Sequence, residues 1–166
     1  QPRSRGLGDV YKRQHPLATR VLVVTCATST QTGLMDTAPR PALHTTVLDT
    51  QNVASLADFY RSLLGWDYAP GTEKDSGEWR TLLGPGGVRL SFQRVEALPP
   101  STWPSPDVPQ QIHLDLTLET VDELRALKPR LLELGAVMLQ DSLDDSEERL
   151  LIVADPAGHP LCVFVP

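Results

Sequence analysis

Residues 112–118 read IHLDLTL, and strict alternation sets a histidine and a carboxylate two positions apart on one face of a strand. An imidazole beside a carboxylate suits general acid–base chemistry, with His113 carrying the proton and Asp115 biasing its protonation state. The competing reading is a histidine that only hydrogen-bonds across a sheet. Asp49, in the alternating run 45–49, offers a second carboxylate for a cleft, where burial would raise its pKa and suit it to proton transfer. A backbone cap or a surface pair would account for it equally well. Gln93 reads as a pocket hydrogen-bonding group. Cys162 lies in the closing DPAGHPLCVFVP with no base beside it in sequence, so a buried Cys162 reads as a small hydrophobe rather than a nucleophile. Trp79 and Trp103 supply flat surfaces for a planar ligand, and Trp103 sits in LPPSTWPSPDVPQQ, a Pro-rich stretch suited to folding over a cleft mouth or packing a linker onto the domain. Trp66 reads as core, His159 as a solvated turn residue, and DDSEE at 144–148 as a solvated loop tip.

The elements that must position these residues come twice. Residues 45–49 alternate; Asn52 can cap a helix with Val53, Leu56, Ala57, Tyr60, Leu63 and Leu64 on one side, and Gly65 ends it. Residues 112–118 alternate; Thr120 and Glu123 form a T-x-x-E capping box, Leu124, Leu127, Leu131 and Leu134 recur at helical spacing, and Gly135 ends the helix. Two further strands and a Pro/Gly turn, LGPGGVRLSF in one half and ADPAGHPLCVF in the other, follow each helix. The order is β-α-β-β-β, written twice. Pro129 is the misfit, predicted to kink or break the second helix near Lys128. Parity puts Val88, Leu90, Phe92, Leu161, Val163 and Val165 toward the helices, and Arg89, Ser91, Gln93 and Cys162 on the opposite face.

Composition bounds the rest. The 166 residues are 40% hydrophobic and 22% charged, enough for one well-filled core. Residues 1–34 show no apolar period, and GLGDVYKRQ resembles translated sequencing adaptor, so they read as a non-native or disordered leader ahead of Met35. A secretion signal is the competing reading, because basic residues precede VLVVTCA. Residues 35–166 hold ten Lys and Arg against twenty Asp and Glu, a formal charge of −10, which argues against nucleic acid or an anionic membrane as partner. One cysteine in that stretch makes no internal disulfide, which fits a reducing cytoplasm.

In order and spacing, N-x₆-FY-x₃-LGW from Asn52 to Trp66, LSFQRV, HLDL, LELGA and the terminal DPAGHPLCV resemble the glyoxalase, bleomycin-resistance and extradiol-dioxygenase (vicinal oxygen chelate) superfamily, in its glyoxalase-like branch common in bacteria. The resemblance covers residues 43–166. It implies an α+β fold of two βαβββ modules, at 43–97 and 111–166, joined by a linker at 98–110 and curled around a cleft. Relatives with a metal take four ligands from the first and fourth strands of each module. Those positions fall here on Thr45, Ser91, His113 and Cys162, and only His113 matches. The resemblance therefore implies a small-molecule site without a metal cofactor, with His113 and Asp115 as catalytic candidates and Thr45, Asp49, Trp79, Ser91, Gln93, Trp103 and Cys162 as ligand-binding candidates. A one-residue register shift would replace Thr45 by His44 and give the metal set His44, Gln93, His113 and Cys162, for a divalent-metal lyase, isomerase or dioxygenase. A third class is a protein-interaction domain without ligand. Many relatives pair as homodimers.

Overall fold

A computed structural model of the chain describes residues 39–72 and 77–166. The expected leader, residues 1–34, lies outside the described residues. The elements run β1 (Thr46–Thr50), α1 (Val53–Leu64), β2 (Asp67–Tyr68), β3 (Trp79–Leu83), β4 (Arg89–Arg94), β5 (Leu114–Thr117), α2 (Val121–Glu133), β6 (Val137–Asp141), β7 (Leu150–Ala154) and β8 (Pro160–Phe164). Each module forms its own four-stranded sheet, ordered β1-β4-β3-β2 and β5-β8-β7-β6. In both, the first strand crosses over through the helix to pair in parallel with the fourth, and the remaining pairs are antiparallel.

Local chemistry explains the helix boundaries. Asn52 Oδ1 accepts from Ser55 N at 3.1 Å, and Gly65, at φ 67°, closes α1 with its N–H on Arg61 O. Thr120 and Glu123 form the predicted capping box of α2. Contrary to the sequence expectation, α2 runs unbroken past Pro129 to Glu133. Pro129 is exposed, and Leu124 and Leu131, both fully buried, anchor the helix on either side of it. Tertiary packing thus outweighs the one missing N–H, since burying a leucine side chain contributes about 1.5–3 kcal/mol. The strand predicted at 112–118 is shorter, because pairing with β8 begins only at Leu114.

One core serves both modules: Leu48, Leu56, Tyr60 and Phe92 from the first and Leu124, Leu151, Leu161 and Val163 from the second belong to a single buried cluster. Tyr60 stacks on Phe92 with ring centroids 5.6 Å apart and meets Phe59 edge-on at 5.0 Å. Trp66 is half-buried against this cluster, with Gly84 directly beneath its ring. A Cβ at position 84 would lie 2.4 Å from the indole, so the close approach requires glycine.

Candidate functional site

On the first sheet, the register sets Val47 beside Ser91 and Asp49 beside Gln93, with Thr81 and Trp79 next along on β3, all on the face away from α1. The polar face inferred from parity is therefore present. Its hydroxyls form one chain. Trp79 Nε1–H donates to Thr81 Oγ1 at 3.0 Å, Thr81 and Ser91 are 2.9 Å apart, Ser91 and Thr45 are 2.8 Å apart, and Thr45 Oγ1 donates to the Thr46 carbonyl at 3.1 Å. A hydroxyl has one proton. Thr45 commits its proton to the carbonyl, so Ser91 must donate to Thr45 and Thr81 to Ser91. The indole at one end and the carbonyl at the other set the direction of the whole chain.

On the second sheet, His113 sits one residue ahead of β5. Its Nδ1 lies 3.4 Å from Gln110 Nε2, whose N–H donates to it, and its Nε2 lies 3.5 Å from Asp115 Oδ1. That arrangement places the ring proton on Nε2, facing the carboxylate, with the side chains of His113 and Asp115 25% and 29% exposed. Cys162 stands opposite Asp115 on one side and Ile152 on the other, and is 0% exposed.

The modules are tied at the terminal turn. Asp155, buried, accepts from Tyr60 OH on Oδ2 at 2.9 Å and from the backbone N–H groups of Ala157 and His159 on Oδ1 at 2.9 and 3.0 Å. Burial pushes the Asp155 carboxyl up, while His159 and these hydrogen bonds hold it down. Burial, followed by the neighbouring carboxylate, pushes the Tyr60 phenol well above its ordinary value. His159, read from sequence as solvated, is half-buried and donates from Nε2 to the Asp49 carbonyl at 2.7 Å. Arg130 donates to the Ser62 carbonyl, a second tie between modules.

Between β1, the linker and this turn lies a cavity of about 440 Å³. Val47 and Asp49 form one wall, the prolines at 99, 100 and 109 with Ile112 another, and Gly158 and His159 the third. At Gly158, φ 92°, a Cβ would come within 2.8 Å of Pro100, so turn and linker close tightly at this corner. Asp49 is the one sequence-predicted candidate that lines the cavity; Thr45, Trp79 and Ser91 belong to the hydroxyl chain, Gln93 is exposed beside Asp49, and Trp103 is half-buried in the linker away from the cavity. Sequence reasoning missed Tyr60, Gln110, Asp155 and His159. The D-P-x-G turn was the available signal for Asp155, because an aspartate there caps the following backbone amides.

The positions that hold a metal in similar proteins can be tested on their own atoms. Thr45, not His44, touches Ser91, so the register that would bring His44 onto this face is not adopted. Ser91 is 1% exposed, donates one hydrogen bond and accepts another, and Cys162 is fully enclosed. The donor set is one accessible imidazole with committed hydroxyls and a buried thiol, which does not suit a divalent cation. Among the described residues no three His, Cys, Asp or Glu side chains converge. Among them, too, no helix is long and apolar enough to cross a membrane.

Solved structures share this architecture. A possible glyoxalase from Bacillus cereus aligns at TM-score 0.56 with 15% identity, over 74% of this chain and 97% of its own. The fosfomycin resistance protein FosX from Mesorhizobium loti aligns at 0.57 with 11% identity, over 77% and 94%. A FosX variant from Listeria monocytogenes, complexed with Mn(II) and 1S,2S-dihydroxypropylphosphonic acid, aligns at 0.56 with 13% identity, over 76% and 90%. These likenesses concern the fold. No curated protein has a matching sequence. The family model for the glyoxalase-like domain matches residues 45–164, and with the doubled βαβββ fold this makes the chain a member of the glyoxalase-like domain family within the vicinal oxygen chelate superfamily.

Proposed function

We propose that this protein is a cytoplasmic small-molecule-binding member of its family that works without a metal ion and holds an organic ligand in the cavity between its modules. The hydroxyl chain carries this reading: Thr45 and Ser91 stand where a metal would draw two ligands, and they are bonded to each other at 2.8 Å. The Listeria FosX variant holds Mn(II) with a phosphonic acid, whereas here the donor set does not suit the ion and no lysine or arginine lines the cavity. Binding rather than turnover is favoured by His113, whose ring nitrogens face Gln110 and Asp115. His113 and Asp115 do not line this cavity, and they would move a proton only for a ligand that reaches the second sheet beside it. Asp49 contacts the ligand, and Thr45, Trp79, Ser91 and Gln93 support the sheet face that carries it.

Native mass spectrometry of the chain, purified without chelator and offered Mn²⁺, Fe²⁺, Ni²⁺ and Zn²⁺ in turn, tests the reading. No stoichiometric ion is expected. One retained ion per chain, lost in His113→Ala, would overturn it in favour of a divalent-metal lyase, isomerase or dioxygenase.

A further inference from the structure

We infer that the inter-module cavity selects a cationic organic molecule, an apolar body ending in a protonated amine or amidine, and that Asp49 sets the preference. This rests on the cavity being the binding site, as proposed above.

The polar groups around the cavity are unequally available. Gln110 donates to His113. Ser101 Oγ donates to the Val108 carbonyl and accepts from Trp103 N. His159 directs Nε2 at the carbonyl of Asp49, leaving that residue's carboxylate untouched. Asp49 is exposed, and its carboxylate has no hydrogen-bond or ion-pair partner among the described residues. The carboxylate oxygens of Asp49 are the only acidic atoms among the lining side chains.

Charge decides what those atoms attract. No lysine or arginine lines the cavity. Arg94, one residue beyond Asp49's partner on β4, faces away into an ion pair with Glu78 at 2.8 Å. An anion entering would meet a carboxylate with no lysine or arginine to compensate it, inside a domain with twenty acidic and ten basic residues. A cation would meet its counter-ion. The remaining surface is apolar and stiff: Val47, Ile112 and the proline rings present flat hydrocarbon to a ligand body. A volume of about 440 Å³ is within the range of small-molecule sites.

Three isosteric probes separate charge from shape: benzamidine (cation), benzamide (neutral) and benzoate (anion), titrated into ¹⁵N-labelled full-length protein. Benzamidine is expected to shift the backbone amides of Val47, Gln111, Ile112 and Gly158. Benzamide should bind about fivefold more weakly, the upper range for a solvent-open charge pair, and benzoate more weakly still. Asp49→Asn should bring benzamidine to the level of benzamide while leaving the dispersed spectrum unchanged. Equal affinity for benzamide and benzamidine at the same amides would overturn the charge preference and leave the cavity reading standing. Benzamidine shifts mapping away from those amides would overturn both. Unchanged benzamidine affinity in Asp49→Asn, or no binding at millimolar concentrations, would also overturn the inference.

Discussion

Tyr60→Phe removes one atom from the tie between modules and nothing from the core. The ring keeps its stacking on Phe92 and its edge contact with Phe59, so the effect isolates the 2.9 Å bond to Asp155 Oδ2. A buried hydrogen bond to an ionised group contributes about 1.5–3 kcal/mol, which places the expected loss near 2 kcal/mol at pH 8. With a urea slope of about 1–2 kcal/mol per molar, the unfolding midpoint falls by about 1–2 M. The loss should depend on pH. Asp155 has a folded pKa raised above its unfolded value, so its stabilising contribution is full below the ordinary carboxylate range and declines as pH rises through the raised value. The phenol opposes that decline because its O–H stabilises the charged carboxylate. Without it the decline steepens, and the cost of Tyr60→Phe shrinks as pH falls from 8 through the raised value, below which a protonated Asp155 loses only a neutral bond of about 1 kcal/mol. Urea titrations of both proteins across that range measure the difference, in which the response of the other carboxylates cancels. A cost that is flat with pH, or below about 0.5 kcal/mol at pH 8, would refute the assignment of Asp155 as a charged partner.

Further consequences can be checked by the same unfolding measurements. Gly84→Ala should lose about 1–3 kcal/mol, because its Cβ would press into the Trp66 ring at 2.4 Å; an unchanged midpoint would mean that the indole moves freely. Thr81→Val leaves Trp79 Nε1–H without its acceptor and Ser91 without its donor, for an expected loss of about 1–3 kcal/mol, against near-neutrality if the hydroxyls are independent. Cys162→Glu, which restores a carboxylate at a position where similar metal proteins carry one, should destabilise by about 3 kcal/mol or more because the site is enclosed. Native mass spectrometry with Mn²⁺ or Ni²⁺ should show no ion gained by that variant, and a gained ion would revive the metal reading.

The strands, the helices and their faces were legible because each is written as a period. Alternation at 45–49 and at 88–93 put Thr45, Asp49, Ser91 and Gln93 on one face, and the register of β1 with β4 places them there. Caps at Asn52 and Thr120 marked helix starts within a residue. Pro129 misled because a local rule says nothing about the anchors on either side of it, and Leu124 and Leu131 decide the outcome. The cavity was less legible for a different reason. Its walls come from residues with no period, the linker prolines and the turn at Gly158 and His159, whose positions depend on contacts more than forty residues away in sequence. Periodicity could assign Asp49 to a face but not show that the carbonyl of the same residue would be held by His159.

The repeat is broken where the site is built. Each module joins the last two strands of its β-β-β run by a Pro/Gly turn, yet the two turns do different work. In the first, residues 85–88 are exposed, and the turn closes on itself through Gly87 N to Gly84 O and Val88 N to Pro85 O. The second closes in the same way, Gly158 N to Asp155 O and Asp155 N to His159 O, and Asp155 adds a buried carboxylate shared among its own turn's backbone and Tyr60 of the other module. The shared carboxylate holds the turn against the linker at Gly158 and aims His159 at β1. A single acidic side chain, present in one of two otherwise parallel turns, thus ties that turn to the other module beside the cavity. It also explains why the cavity wall can resist deformation while the residues that would meet a ligand, Asp49 above all, remain exposed and chemically uncommitted.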